Sequence, residues 1–314
     1  MAKRVSLFDI ARFLCILEIV SFWHLFDYVQ PTQIKHHFFL LTNSVLVCFS
    51  FLSGLFLSKK NLSFKEFYLS RFLRFYPLFF LSSVTFYLTS KSMSTMQLFH
   101  TLTGLGCFCL PAPKTLWYFS MLVFFYLITP FLLMNLNWND SSTKSKTILM
   151  RSAIIYIILL AINYISPIDN RLLLNYPFYI LGFFIPIDFF PTKKISFHLT
   201  LIISTGILLF ITKEIPLYIY NIIFSFGVFL SIISISALID ILLNEKIKKL
   251  FTLGAYSSMC AYLFHRQIYG AFVKVFGEDG IVPYYALPLM CIILFITSYF
   301  IQKSYDFLRK KLFC

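Results

Sequence analysis

The sequence predicts an all-α, polytopic membrane helix bundle with about ten transmembrane helices and both termini in the cytoplasm. Of its 314 residues, 59% are hydrophobic and only 13% are charged, and the mean hydropathy is +0.80. Soluble domains are about 45–50% apolar and about 25% charged. The excess of apolar side chains therefore has to be buried in lipid. The 40 Phe and 19 Tyr residues suit lipid-facing and interfacial positions.

Ten apolar runs follow one another along the chain, each about long enough for a helix to cross the bilayer core. They lie near 10–29, 37–57, 72–90, 115–136, 150–166, 172–190, 195–212, 217–243, 251–275 and 284–303. The fifth run is short, and the eighth is long enough to be kinked or partly interfacial. We expect one integral membrane domain over 1–314, no appended soluble domain, and one longer outer loop at 91–114.

The basic residues indicate the orientation of these helices. A net charge of +14 also fits nucleic-acid binding, but the Lys and Arg residues sit between apolar runs, so we expect no nucleic-acid partner. With ten spans, one side collects Lys3, Arg4, Lys59, Lys60, Lys65, Arg71, Arg74, Lys144, Lys146, Arg151, Lys193, Lys194, Lys246, Lys248, Lys249, Lys303, Arg309, Lys310 and Lys311. The other side has Lys35, Lys91, Lys114, Arg171, Lys213 and Lys274. The positive-inside rule then predicts cytoplasmic termini.

Three ionisable residues, Arg12, Glu18 and His24, lie within or at the edge of the first apolar run. Such residues are costly at membrane depth and mark a pathway, a pair or a site. His24 lies twelve residues after Arg12, about 18 Å along a helix, and thus beyond the bilayer midplane. It is a candidate general base. An interhelical hydrogen bond is an equally good explanation of His24 alone.

A second cluster, Arg71 and Arg74, stands at the cytoplasmic boundary of the third run. Residues at i and i+3 share a helix face, and paired guanidinium groups suit phosphate. When the pair is considered alone, basic residues that only set the orientation of the span explain it better than a phosphate site does. Either arginine, or Arg12, is a candidate partner for Glu18. Pro77 is expected to kink or start the third span.

Several further residues are candidates for the lining of a site. Ser53 and Gly54 first suggest close helix packing. Trp117, beside Tyr118, is typical of a membrane interface, which we favour over substrate stacking. His265 is ambiguous, and an interfacial position explains Arg266. The seven Cys residues have no metal-ligand spacing, so no metal centre is expected.

The motifs, taken in order, resemble the acyltransferase 3 family of integral membrane acyltransferases. They are Phe8-Asp9-Ile10-Ala11-Arg12 with His24, Phe51-Leu52-Ser53-Gly54, Arg71-x-x-Arg74 with Tyr76-Pro77, Leu116-Trp117-Tyr118-Phe119 with Tyr126 and Pro130, Tyr179-Ile180-Leu181-Gly182, Leu253-Gly254-Ala255-Tyr256-Ser257, and Tyr262-Leu263-x-His265. No single motif is very specific. Their order over almost the whole chain carries the resemblance.

The resemblance implies transfer of an acyl group, usually acetyl, from cytoplasmic acyl-CoA to a hydroxyl of a surface glycan or its lipid-linked precursor. Acyl-CoA is then a co-substrate, with no permanently bound cofactor, and the protein lies in the inner membrane of a bacterial cell. By position, His24 is the catalytic histidine and Arg12 its basic partner. Arg71 and Arg74 match the family's arginine pair, for which binding CoA phosphates is a reasonable role.

One departure concerns the spacing in the first span. The family usually has ten residues between the basic residue and the histidine, whereas Phe13 to Trp23 makes eleven. In a straight α-helix the usual spacing leaves the two side chains about 20° apart around the helix axis. The extra residue increases the angle between Arg12 and His24 to about 120°. Either Arg12 is not the functional partner, or a π-bulge absorbs one residue. We favour the bulge.

The resulting hypothesis is direct transfer. His24 takes the proton of the acceptor hydroxyl, Arg12, Ser53 or another donor stabilises the oxyanion, and Glu18 or Asp27 orients the imidazole. The alternative is a transporter or flippase for a lipid-linked glycan, although no inverted repeat is evident. The hypothesis that the protein is a membrane scaffold is weaker, because it leaves Arg12, Glu18 and His24 unexplained.

Overall fold

The computed structural model describes residues 6–25, 28, 35–57, 63–90, 93–134, 136, 141–186, 194–211, 217–277 and 282–313. Within these ranges the chain is helical and contains no β-strand, which confirms the all-α class. The α-helices are α1 (Ser6–Leu17), α2 (Lys35–Leu57), α3 (Phe64–Thr89), α4 (Thr95–Leu102), α5 (Trp117–Leu133), α6 (Ser141–Ile165), α7 (Asn170–Phe184), α8 (Ile195–Ile211), α9 (Leu217–Leu242), α10 (Glu245–Phe276) and α11 (Leu287–Phe313). A π-helical segment, Glu18–His24, follows α1, and short 3₁₀ turns lie at Leu105–Cys107 and Tyr284–Ala286.

Each of the ten predicted apolar runs overlaps a helix in its described residues, the first run with α1 and the π-helical segment after it. Five stretches are long and apolar enough to cross a membrane: Leu40–Leu57, Phe64–Thr89, Ser142–Ile165, Ile219–Leu242 and Leu287–Lys311. Two shorter apolar helices are Trp117–Leu133 and Ile195–Leu208. These helices fit a multi-pass membrane protein. Ten crossings and cytoplasmic termini stay predictions.

Helix starts differ from the predicted ones where polar caps extend a helix beyond its apolar run. The third helix begins at Phe64 instead of near 72, because Ser63 and Glu66 form a capping box at its N-terminus. It then continues through Pro77, which neither starts nor ends it. In α10 the Asn244 side chain accepts from the backbone N–H of Ile247, so that helix starts at Glu245 instead of near 251.

The predicted outer loop 91–114 contains helix α4. Ser94 and Gln97 form its capping box, which satisfies backbone donors at its first turn. The eight residues of α4 are too few to span a bilayer. A search for long apolar runs therefore could not find this helix, although its capping residues are legible in the sequence.

The described contacts form two compact units. The first comprises residues 1–49 and 187–314, and the second comprises residues 50–186. In the first unit α1 packs against α9 and α10, α10 packs against α11, and α8 packs against α9. In the second unit α5 packs against α3, α6 and α7, and α4 packs against α3. Helix α2 contributes its first part to one unit and its last part to the other.

The last part of α2 crosses α7 at very short range. A Cβ on Gly54 would run into the carbonyl oxygen of Tyr179, and a Cβ on Gly182 would lie 2.6 Å from the backbone nitrogen of Leu55. One turn away, Ser50 donates a buried 2.8 Å hydrogen bond to Asn175. Small residues permit such close approach in lipid. The packing explanation of Gly54 is therefore confirmed.

We predict that Gly54→Ala and Gly182→Ala each destabilise the protein, because the added methyl group meets backbone atoms that cannot move aside. Overpacking of this kind costs about 1–3 kcal/mol. Gly206→Ala is the control, since a Cβ there meets no described atom within 4 Å. The measurement is the thermal midpoint of the detergent-purified protein. Equal midpoints for Gly54→Ala and Gly206→Ala would contradict the close crossing.

Candidate functional site

The segment Glu18–His24 is π-helical, and it lies between Arg12 and His24. A π-helical turn takes up one more residue than an α-helical turn. It therefore returns positions 12 and 24 from about 120° apart to about 20° apart around the helix axis. The predicted bulge is confirmed. Arg12 itself is half-buried on α1.

Side chains of α10 and α11 contact the π-helical segment. The hydroxyl of Tyr269 on α10 donates to the carbonyl oxygen of Val20 at 3.2 Å. On α11, Cys291 Sγ lies 2.9 Å from the hydroxyl of Ser21. A π-helical turn disturbs the regular backbone ladder, so these contacts help satisfy its polar groups. The first unit thus fixes the position of His24 at the end of this segment.

The imidazole of His24 contacts a guanidinium group from α10. His24 is 6% exposed, and its Nδ1 lies 3.1 Å from Nη2 of Arg266. The sequence suggested an interfacial position for Arg266 and made Arg12 the basic partner. In the structure Arg266 brings a guanidinium to the His24 ring, and Arg12 as its basic partner stays a prediction.

His265 lies beside the same ring. The ring centroids of His24 and His265 are 4.4 Å apart, with 35° between the planes. His265 is fully buried, and its Nδ1 lies 2.7 Å from the carbonyl oxygen of Tyr262 one turn earlier. Its Nε2 is buried and has no hydrogen-bond partner among the described residues. Two imidazoles and a guanidinium thus meet inside the first unit.

Glu18, at the start of the π-helical segment, has a neutral partner. The hydroxyl of Thr42 on α2 donates to its Oε1 at 2.9 Å. The sequence proposed Arg12, Arg71 or Arg74 as its partner, so the structure replaces an expected ion pair with a hydrogen bond. A hydroxyl partner carries no charge to neutralise a carboxylate, so Glu18 is a half-buried polar group at the start of the π-helical segment. Asp27, the other candidate for orienting His24, lies outside the described residues.

In the second unit, Arg71 and Arg74 differ in their surroundings. Arg71 is 9% exposed, and its guanidinium carbon lies 5.8 Å from the ring centroid of Phe67 and 5.7 Å from that of Tyr126. Its Nε is buried without a hydrogen-bond partner among the described residues. Arg74 is exposed. The predicted pair is thus one arginine held between aromatic rings and one open to the surroundings.

Trp117 is buried, and a cation covers one face of its ring. The guanidinium carbon of Arg171 lies 3.8 Å from its ring centroid, and Asp169 accepts from Nε of Arg171 at 2.8 Å. Such a cation–π contact, backed by an ion pair, is a packing arrangement within the second unit. The favoured interfacial role and the substrate-stacking role both stay predictions. Ser53 lies half-buried on α2, one residue before the close crossing at Gly54.

Arg266 is the residue of this cluster that sequence reasoning missed. The available signal was the consecutive ionisable pair His265-Arg266 within a long helix of mixed polarity. An interfacial location accounts for a single arginine near a helix end, whereas Arg266 lies about ten residues before the last residue of α10, Phe276. A pair of adjacent ionisable residues well inside a helix indicates a functional site before it indicates an interfacial position.

Comparison with known proteins identifies the family of the chain. The family model described as an acyltransferase domain matches residues 6–302, which include the π-helical segment, the Arg71 and Arg74 pair, and the His265-Arg266 pair. Neither the curated proteins nor the solved structures give a match. A match over nearly the whole chain establishes the family. The chain belongs to the acyltransferase 3 family of membrane acyltransferases.

Proposed function

We propose that the chain transfers an acyl group, acetyl in the first instance, from cytoplasmic acyl-CoA to a hydroxyl of a surface glycan or its lipid-linked precursor. The family supports acyl transfer as the reaction class. The observation that carries the proposal is the buried contact of His24 with His265 and Arg266. Acyl transfer needs a proton acceptor and a stabiliser of negative charge at one place, and this cluster supplies both kinds of group.

The chemistry at this cluster is a single addition and elimination. The acceptor hydroxyl gives its proton to an imidazole as its oxygen attacks the thioester carbonyl carbon. The carbonyl oxygen then bears a negative charge that nearby N–H donors stabilise. Collapse of this intermediate breaks the C–S bond, and the CoA thiolate leaves and recovers the proton.

Arg71 and Arg74 are proposed to bind the phosphates of acyl-CoA. A guanidinium binds phosphate oxygens through paired N–H donors. The rings of Phe67 and Tyr126 support the Arg71 side chain, and its buried Nε leaves hydrogen-bonding capacity for a ligand. In the proposed orientation both arginines lie at the cytoplasmic boundary of the inner membrane of a bacterial cell, on the side of the acyl-CoA pool.

The first prediction concerns His24. His24→Ala should lower transfer of radiolabelled acetyl from acetyl-CoA into surface polysaccharide by about 100-fold or more, because it removes one imidazole of the buried pair. The assay uses membranes that contain equal amounts of each variant. His100→Ala is the control, since His100 on α4 has no part in the proposed chemistry, and it should retain full transfer.

Retained transfer by His24→Ala would remove His24 from the mechanism. A transporter or flippase for a lipid-linked glycan, the competing function, would release no CoA from acetyl-CoA in either variant or wild type.

The second prediction separates phosphate binding from a plain positive flank. Arg71→Ala should raise the KM for acetyl-CoA about 10- to 100-fold, the range expected when hydrogen bonds to a charged group are lost. Arg71→Lys should recover this only in part, because an ammonium group lacks the paired geometry of a guanidinium. Lys65→Ala, an exposed cation on the first turn of α3, should leave KM unchanged. Equal effects of Lys65→Ala and Arg71→Ala on KM would indicate that Arg71 is only one of the basic residues that flank a membrane span, and not a phosphate ligand.

A further inference from the structure

The contact between Arg266 and His24 determines which nitrogen of His24 carries a proton. A guanidinium has five N–H donors and no acceptor, so Arg266 donates and Nδ1 of His24 accepts at 3.1 Å. An imidazolium carries hydrogens on both ring nitrogens, so a ring whose Nδ1 accepts is the neutral imidazole. A neutral imidazole whose Nδ1 accepts carries its hydrogen on Nε2. His24 therefore offers a donor, and its lone pair is engaged by Arg266.

His265 is held in the opposite tautomer. A carbonyl oxygen can only accept, so Nδ1–H of His265 donates to the carbonyl of Tyr262 at 2.7 Å. The lone pair of His265 then lies on Nε2. That atom is buried and has no hydrogen-bond partner among the described residues. Leaving a buried acceptor unsatisfied costs free energy, so such an atom in a polar cluster points to a ligand that supplies the missing proton.

From these two tautomers we infer that His265 is the general base of the acyl transfer, and that His24, positioned by Arg266, is a hydrogen-bond donor to the oxyanion. The inference rests on the proposed function and assigns the roles within its site. The ring centroids are 4.4 Å apart, so the base and the donor can serve two oxygens on the same tetrahedral carbon. Arg266 is a positioning residue, because it acts through His24.

Each proton and bond is accounted for in this assignment. Nε2 of His265 takes the proton of the acceptor hydroxyl while the acceptor oxygen forms a bond to the thioester carbon. The N–H on Nε2 of His24 stabilises the oxyanion. When the C–S bond breaks, the proton on His265 passes to the departing CoA sulfur, and His265 returns to its neutral state. For His24 to act as base in this arrangement, Arg266 would first have to release Nδ1.

The tautomers are directly measurable by nitrogen-15 NMR on the full-length, detergent-purified protein with labelled histidine. The chain has six His residues, and the signals of His24 and His265 are assigned from their loss in His24→Ala and His265→Asn. We expect a protonated Nε2 in His24 and a protonated Nδ1 in His265. Arg266→Met should make His24 a mixture of tautomers and leave His265 unchanged, a shift that a purely structural arginine would not cause. The reverse pair of tautomers overturns the inference.

The kinetic test uses substitutions that keep one nitrogen position of each ring. His265→Asn retains an amide donor for the Tyr262 carbonyl and loses the base, so kcat should fall at least about 100-fold while the KM for acetyl-CoA changes little. His24→Gln retains a donor at the Nε2 position and should keep about 10-fold more activity than His24→Ala. The assay is incorporation of radiolabelled acetyl from acetyl-CoA in membranes of the producing cells.

The opposite pattern would assign the base to His24. In that case His24→Gln is as inactive as His24→Ala, and His265→Asn is close to wild type. If the wild-type protein transfers no acetyl group, the proposed function fails, and the NMR measurement still decides the tautomers. If His265→Asn does not fold, the comparison of His24→Gln with His24→Ala and the wild-type NMR spectrum decide the assignment.

Discussion

In a π-helical segment each backbone amide reaches one residue further than in an α-helix, and the arrangement of the first unit depends on such a segment at Glu18–His24. The wider turn rotates His24 relative to α1, and Tyr269 and Cys291 fix its backbone and side chains from α10 and α11. His24 thereby meets Arg266. A straight α-helix of the same length would turn the histidine about 100° away from this position.

The described polar contacts around the π-helical segment are hydrogen bonds with uncharged partner groups and a contact with the Arg266 guanidinium. Isolated charges are costly among apolar helices, and a partner of opposite charge repays that cost only with good geometry. Glu18 is bonded to Thr42, and the two histidines are held by an arginine and a carbonyl. In the tautomers inferred above, His265 keeps an accepting Nε2 and His24 keeps a donating Nε2. That asymmetry is what acyl transfer requires of a site.

The second unit uses aromatic rings and close backbone contact. Arg71 lies between Phe67 and Tyr126, and Arg171 covers Trp117, so in both places a guanidinium is stabilised by ring faces. The crossing of α2 and α7 at Gly54 and Gly182 brings two backbones together without intervening side chains. Such a crossing limits relative motion of the two helices.

Composition and residue spacing predicted the helical class, the apolar segments, His24 as a candidate and the favoured π-bulge, because each depends on features within one segment. The capped extensions of α3 and α10 and the short helix α4 were legible in capping residues that an apolar-run criterion ignores. The partners of these side chains come from the packing of helices that lie far apart in the sequence. Arg266 lies 242 residues from His24, and Thr42 replaces an arginine beside Glu18. Spacing along one helix cannot reveal which side chain a neighbouring helix brings to it, since that depends on how the helices pack.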